Sequence, residues 1–341
     1  MEIGANEDIS SQDPLGFFKD VATETENNDA NTCETGMQTT AHAPYCAQNF
    51  VNDSAGMHYF TGLENYDKFC FVLYTLGPAA HHLRYIYAQN YKISVEDQFF
   101  LVLIKLRCHT QNFELSRMFS LSETDVYDIF CTWVRFASIQ WREISIWPSR
   151  DIVRFYCPTD FRKKFPNTRV IFDGTECPIK KPKLPIAQQS TFSTYKNRNT
   201  VKVLVGATPA GMISYVSPAY GGSTSDRQIV ERSALTMLCS PKDSIMADKG
   251  FDVQDLFAPY DITVNIPTFF KKTNRISGKV VLRDRKIASK RVHIERIIGL
   301  GKTYRILVEP MNQSETQLAS DIIFICYFLC NFRKCIVGKY A

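Results

Sequence analysis

The sequence has no long apolar run and no paired cysteine motif. Its longest apolar segment, "IIFICYFLC" at 322–330, has nine residues, far short of the roughly 20 that cross a bilayer. The eleven cysteines are odd in number and scattered, unlike the disulfide framework of a small secreted domain. No charged and then apolar leader opens the sequence. We therefore expect a soluble protein with reduced thiols, in the cytosol or nucleus.

Basic residues are almost absent from the first 56 residues. That segment has ten acidic residues and one lysine, a charge of −9, whereas the remainder has 39 basic and 25 acidic residues, a charge of +14. Because residues 1–56 are also polar and lack apolar periodicity, we predict a disordered acidic tail there. The basic remainder fits a polyanion partner, but it also fits an ordinary solvated surface.

Residues 57–150 have helical periodicity. The pattern predicts one helix capped by Thr61 and another over 93–106 capped by Ser94. Two more helices follow within 113–137, separated by a break at Ser120, and this is a helix-turn-helix pattern.

The second helix of this pair has an acidic beginning. Ser122 is its predicted cap, and Glu123, Asp125 and Asp128 lie in its first turns. Acidic side chains repel phosphates, so a DNA-reading helix and a plain structural bundle both remain open.

Short strands replace helices from residue 168 onward. The predicted strands cover 169–173, 200–208, 212–220, 244–251 and 261–267, and the predicted helices cover 225–238, 284–299 and 314–332. Three strands, a helix, two strands and further helices form the order of a ribonuclease-H-like α/β fold. We therefore predict a ribonuclease-H-like catalytic domain at 165–341, preceded by a small all-α helix-turn-helix domain.

Acidic residues follow two of these strands and occur on a later helix. Asp173 is placed at the end of the first strand, Asp248 at the end of the fourth and Glu295 on the basic helix. A lone Asp there would be a turn cap, but neighbouring strands bring the first two together. Converging carboxylates stay ionised when a cation neutralises them, and oxygen ligands suit Mg²⁺ or Mn²⁺. Two such ions can promote phosphodiester cleavage.

Seven stretches, in this order, resemble a DDE superfamily endonuclease of the Harbinger-like transposase group often found behind a THAP zinc finger. They are "YFTGLENYDKF", "EDQFFLVLIKLR", "IFDGTECPIKKP", "STYKNRNTVKVLVGATPAG", "GGSTSDRQIV", "IMADKGF" and "RVHIERIIGLGKTYRIL". The resemblance implies that Asp173, Asp248 and Glu295 form a triad that binds two Mg²⁺ or Mn²⁺ ions. It also implies cleavage and strand transfer on double-stranded DNA, a homo-oligomer on that DNA and a nuclear location. Asp226 matches a further acidic position of the group, as an accessory metal ligand or as a helix-terminal Asp.

The chain departs from the group in three places. Cys33, His42 and Cys46 lack the spacings of a zinc finger. The second helix of the helix-turn-helix is acidic, and Leu300 and Gly301 replace a basic and an apolar residue. A separate DNA-binding protein is therefore a possible source of target recognition.

Basic residues cluster around the predicted triad. Those that we predict to contact the DNA backbone are Lys180, Lys181, Lys196, Arg198, Lys202, Lys286, Lys290 and Arg291. Arg291 has a second interpretation, pairing with Glu295 one turn later. Cys326, Cys330 and Cys335 fit an apolar core better than a zinc site.

Two other functions stay open. A domesticated descendant would bind DNA or act as a scaffold without cleaving it, and an RNA-directed nuclease can have the same fold.

Overall fold

The computed structural model describes residues 45–233, 235–248, 250–268, 277–338 and 340. Most of the predicted acidic tail lies outside these residues. Its last part is ordered, because a 3₁₀ turn spans Ala47–Phe50 and the first α-helix begins at Ser54. Ala47 is buried and its N–H donates to the Asp97 carboxylate at 2.7 Å. Ordered structure thus begins before the predicted boundary at residue 57.

Helices make up most of the described chain. They are α1 (Ser54–Thr61), α2 (Tyr66–Tyr74), α3 (Val95–Cys108), α4 (Asn112–Phe119), α5 (Glu123–Glu143), α6 (Arg150–Tyr156), α7 (Thr159–Lys164), α8 (Pro185–Thr191), α9 (Asp226–Arg232), α10 (Leu235–Leu238), α11 (Gln254–Phe257), α12 (Gly278–Gly301), α13 (Gln313–Gln317) and α14 (Ala319–Cys330). No helix within the described ranges is long and apolar enough to span a membrane.

Local capping signals define the helix-turn-helix. The Ser94 hydroxyl accepts the N–H of Asp97 at 3.0 Å and begins α3. α4 ends at Ser120, which has a left-handed φ of 53°, and Ser122 begins α5 through a reciprocal cap with Asp125. The predicted caps at Ser94 and Ser122 and the predicted break at Ser120 are confirmed.

The predicted cap at Thr61 is wrong. Thr61 is the last residue of α1, and its hydroxyl donates to the carbonyl of Met57 at 2.6 Å. Asn65 caps α2 instead, accepting the N–H of Lys68 at 2.9 Å. A turn through Gly62, with φ at 79°, separates α1 from α2 at the place where the sequence predicts the first turn of a helix that begins at Thr61.

The C-terminal helix joins the helical region to the sheet. Trp141 of α5 stacks on Phe328 of α14, with ring centroids 4.8 Å apart. Cys326 and Cys330 are buried on α14, as predicted for core residues, but Cys335 is exposed, so the prediction is wrong for that residue. Phe324 and Phe328 extend the same aromatic contact along the helix.

The sheet has the strand order of the ribonuclease-H-like fold. Its strands are β1 (Thr168–Pro178), β2 (Phe192–Ser193), β3 (Arg198–Ala207), β4 (Ile213–Val216), β5 (Tyr220–Gly221), β6 (Ser244–Met246) and β7 (Thr263–Asn265). The hydrogen-bonded path is β2-β3-β1-β6-β7, and β4 and β5 also pair with β3. β3 is antiparallel to both β1 and β4, whereas β6 runs parallel to β1 and β7 runs parallel to β6.

β1 continues beyond the point where the sequence predicts its end. Asp173 lies in mid-strand opposite Val205, and pairing with β3 extends to Pro178. The parallel pairing with β6 ends earlier, at Ile171 and Met246. Beyond Ile171, β1 therefore has β3 on one side and no paired strand of the described residues on the other until Met311 bonds to Pro178 and Lys180, and this gap makes room for the candidate site.

Helices cover both faces of the sheet. Ile171 of β1 packs into the larger core with α12 and α14, whereas Phe172 packs into a second core with α9 and α11. Because side chains alternate along a strand, Asp173 shares the α12 face with Ile171. Gly299, the predicted end of the basic helix, lies inside α12, which continues to Gly301.

Gly301 allows a close contact between α12 and α14. A Cβ at this position would lie 2.2 Å from the ring of Tyr327, a buried side chain of α14. Gly301 stands where the related group has an apolar residue, and in this chain a larger side chain there would collide with Tyr327.

Candidate active site

Asp173 projects from the middle of β1. The N–H of Gly174 donates to its Oδ1 at 2.8 Å. Burial raises the pKa of Asp173 to about 6, since a charged carboxylate is poorly solvated there; Asp248 and Asp226 also raise it, while Arg291 and the Gly174 N–H oppose the shift. This carboxyl group is the most electrostatically perturbed acid of the site.

Asp248 and Glu295 approach from two other elements. Asp248 lies two residues after β6, on the side that β1 leaves open. Glu295 lies on α12 and is half exposed. Arg291, one turn before Glu295, bridges the two carboxylates: its guanidinium is 2.8 Å from Asp248 Oδ1 and 3.2 Å from Glu295 Oε1. Of the two interpretations of Arg291, a contact with the DNA backbone and an ion pair with Glu295, the structure shows the ion pair.

Asp226 approaches from the opposite face of β1. It is the first residue of α9, but Ser225 and Gln228 form the cap, so its carboxylate is directed elsewhere. Its Oδ1 lies 2.8 Å from the ammonium of Lys202. A Cβ on Gly174 would lie 2.7 Å from the same oxygen, so a glycine is needed for Asp226 to reach the site.

These four carboxylates, together with that of Glu176 on β1, line one pocket of about 560 Å³. Basic side chains from the turn after β2, from β3 and from the end of α12 line the same pocket, and they are Lys196, Lys202 and Lys302. Tyr195 and Phe251 contribute aromatic surface. The pocket thus combines clustered negative charge with surrounding positive charge, which suits a phosphodiester held beside a metal site.

The donor set fits a hard divalent cation. The acids are carboxylates from four different elements, and no thiol or imidazole lines the pocket among the described residues. Within the described part of the chain, no group of three or more His, Cys, Asp and Glu is close enough to hold a metal. The Arg291 guanidinium lies between two of the carboxylates, so a cation there would have to replace its ion pairs.

The predicted DNA-contacting residues divide into exposed and paired groups. Lys180, Lys181, Lys196, Arg198 and Lys286 are exposed. Three others have carboxylate partners inside the protein, and they are Lys202, Lys290 and Arg291.

Lys290 requires a correction. It is 5% exposed, and its ammonium lies 2.6 Å from Asp160. His293, one turn later, is also buried and contacts the carbonyl of Pro209 at 3.2 Å. Helical spacing correctly placed these two residues on one face with Lys286, but that face turns into the protein beyond Lys286.

Sequence reasoning missed several residues that line the pocket, among them Lys302, Tyr195 and Glu176, and it misread Asp128, which lies outside the pocket on α5. Lys302 lies two turns after Glu295, a helical spacing that could have identified it. Tyr195 precedes a predicted phosphate contact, and only its place at a hairpin tip brings it to the pocket. Asp128, predicted to repel phosphates, is buried and accepts N–H groups of Ile86 and Tyr87 at 2.9 and 2.8 Å.

Two family models match the chain. The model for the DDE superfamily endonuclease matches residues 172–331, and that for the helix-turn-helix of DDE superfamily endonuclease matches residues 91–139. Together they span more than half of the 341 residues and include all four carboxylates. Neither the curated proteins nor the solved structures gave a significant match. The Harbinger-like subgroup stays a prediction. The chain belongs to the DDE superfamily endonucleases.

Proposed function

We propose that this chain is a metal-dependent DNA endonuclease of the transposase type, with Asp173, Asp248 and Glu295 as its catalytic triad. One observation carries the proposal: β1, the segment after β6 and α12 direct these three carboxylates into one pocket. The matching endonuclease and helix-turn-helix families support DNA as the substrate.

The triad would hold two Mg²⁺ or Mn²⁺ ions, with Asp226 as an accessory ligand. When bound, such ions activate the attacking oxygen and stabilise the leaving oxygen of a phosphodiester. Lys196 and Lys302 would orient the phosphate. Water attack would form a new P–O bond, break the P–O3′ bond and leave a 3′-hydroxyl and a 5′-phosphate. That hydroxyl would then attack a phosphodiester of the target DNA in the same way.

The biological setting is part of the proposal. The partners would be transposon ends and target DNA, bound by a homo-oligomer in the nucleus. The helix-turn-helix match supports a DNA-binding role for α4 and α5. A separate DNA-binding protein would supply target recognition if these helices do not read bases.

A second candidate function is a domesticated DNA-binding or scaffold protein. The internal ion pairs of Arg291 with Asp248 and Glu295 favour it, since they neutralise part of the acidic site without a metal. A third, an RNA-directed nuclease, would use the same carboxylates.

Nicking of supercoiled plasmid in Mn²⁺ tests the proposal. The variants are Asp173→Asn, Asp248→Asn and Glu295→Gln, which keep side-chain shape and remove charge. Asp255→Asn is the matched control, because Asp255 is an exposed acid that pairs with Arg227 outside the pocket. We expect nicking by the wild type and the control, and none by the triad variants.

The outcomes separate the three functions. DNA binding without nicking, and without triad-dependent stabilisation by Mg²⁺ or Mn²⁺, would indicate the domesticated protein. Faster cleavage of a matched RNA duplex would indicate the RNA-directed nuclease. Nicking that survives all three substitutions would exclude this triad as its source.

A further inference from the structure

A second cavity adjoins the catalytic pocket. Its volume is about 800 Å³, and its lining includes Lys181, Gln188, Phe192, Asn197 and Arg198. No acidic residue of the described chain lines this groove. Basic, amide and aromatic groups in one channel are the combination that binds single-stranded nucleic acid.

A β-hairpin tip lies between the two cavities. β2 and β3 pair through Phe192 with Asn199 and through Ser193 with Arg198, so residues 194–197 form the turn. Tyr195 and Lys196 line the catalytic pocket, while the residues on either side of them line the groove. A strand that leaves the pocket past this turn therefore enters the groove.

Tyr195 presents an aromatic ring at this tip. The side chain is 83% exposed, and the Lys196 ammonium lies 4.7 Å from the ring centroid. Single exposed aromatic residues are common on protein surfaces. Tyr195 differs from most of them because it lines an acidic catalytic pocket while its neighbours Thr194 and Asn197 line the adjoining basic groove.

The groove also has positive charge that no internal carboxylate uses. Lys202, Lys290 and Arg291 each have an acidic partner inside the protein. By contrast, Lys181 and Arg198 are exposed and form no ion pair with any described residue. These two cations are thus available to phosphates of a bound strand.

We propose that the groove binds unpaired, single-stranded DNA next to the scissile phosphate, with Tyr195 stacking on a base and Lys181 and Arg198 contacting phosphates. The inference rests on the proposed endonuclease function, because that function supplies the strand. A cavity of this size accommodates a few nucleotides of one strand rather than the full width of a duplex. Stacking tolerates any base, so the groove would position a strand without reading its sequence.

Binding of a fluorescent 15-nucleotide DNA strand, in metal-free buffer, tests the inference apart from cleavage. Tyr195→Ala should weaken binding roughly ten-fold, because stacking on one base is worth about 1–3 kcal/mol. Tyr195→Phe should restore it to within about two-fold. Tyr74→Ala is the matched control: Tyr74 is also 83% exposed but ends α2, away from the groove, and its loss should change nothing.

Two further readouts separate stacking from charge. A strand with 2-aminopurine should lose fluorescence on binding the wild type and less on binding Tyr195→Ala. Arg198→Ala should lower the slope of log affinity against log salt by about 0.7, the value for one phosphate of a single strand.

The inference would be overturned if Tyr195→Ala bound the DNA strand as tightly as the wild type. It would also be overturned if Tyr74→Ala weakened binding as much as Tyr195→Ala does. Tighter binding of the matching RNA strand would overturn the assignment to DNA. If the wild type nicks DNA but Tyr195→Ala binds the strand as tightly as the wild type, only the proposal for the groove is rejected. If the triad substitutions do not abolish nicking, the proposed endonuclease function is rejected.

Discussion

Replacing Asp173 by Asn should stabilise the metal-free protein at neutral pH. The pKa of Asp173 is raised to about 6 chiefly because burial disfavours its charged form, and the repulsion from Asp248 and Asp226 adds to this effect. Asn has nearly the same shape, carries no charge and keeps an oxygen that can accept the Gly174 N–H. The substitution therefore removes an electrostatic cost and preserves the local hydrogen bond.

The size of this effect follows from proton linkage. The ordinary pKa of 3.8 and the folded value of about 6 differ by about two units, which corresponds to roughly 3 kcal/mol. Because the folded state binds the proton more tightly, the stability of the wild type falls as pH rises from about 4 to about 6. The advantage of the Asn variant should therefore be full above pH 6 and absent below about pH 3.8.

Urea denaturation followed by tryptophan fluorescence measures the effect. With EDTA at pH 7.5, Asp173→Asn should be more stable than wild type, and Asp255→Asn should not. Mg²⁺ at about 100 times its Kd should stabilise the wild type by about 2.7 kcal/mol and the Asn variant far less. An Asn variant that is less stable than wild type at pH 7.5 would show that Asp173 is not a buried, costly charge.

Three further substitutions test other parts of the structure. Arg291→Ala should lower the metal-free unfolding midpoint and enlarge its increase on Mg²⁺ addition, since two carboxylates lose their partner; an unchanged Mg²⁺ response would contradict this. Gly174→Ala should cost about 1–3 kcal/mol in urea denaturation and reduce nicking, because the new methyl group would meet Asp226 Oδ1 at 2.7 Å. Glu315→Gln should cost about 3–5 kcal/mol at pH 7, because it leaves the 4%-exposed Lys105 without its anion. Bonds from His109 and Lys105 outweigh burial and lower the pKa of Glu315 from 4.5 to about 2, so this difference should shrink as pH falls from 4.5 towards 2.

Short-range signals in the sequence were sufficient for several elements. Ser94 and Ser122 have the right neighbours to accept an N–H three residues later, and both do so. Gly62 shows the opposite case. Its left-handed φ ends α1 where the sequence predicted the first turn of a helix capped by Thr61, and Asn65 caps α2 instead.

The extent of β1 could not be predicted from its own residues. Whether a strand continues past Asp173 depends on its neighbours, and β3 continues to pair while β6 stops at Met246. The order of elements nevertheless predicted that Asp173 and Asp248 belong to neighbouring strands, because that relation follows from topology and not from strand length.

Burial of charged residues was the least predictable property. Asp128 and Lys290 look like surface charges in the sequence, yet they are 0% and 5% exposed. The partner of Lys290 is Asp160, which is 130 residues away along the chain. Helical spacing identifies which residues share a face, but only tertiary packing determines whether that face meets solvent.

Two features of the pocket follow from its partly buried negative charge. Burial is the main cause of the raised pKa of Asp173, with repulsion from Asp248 and Asp226 adding to it, and the double ion pair of Arg291 neutralises part of the charge on Asp248 and Glu295. If the cluster served only to stabilise the fold, apolar residues of similar volume could replace it with little loss in the free energy of unfolding. The cluster is therefore understandable as a site for external cations, which would relieve the repulsion that Arg291 only partly offsets. Because a cation must also displace those ion pairs, metal affinity should be higher in Arg291→Ala than in the wild type, and calorimetric titration with Mn²⁺ would measure the difference.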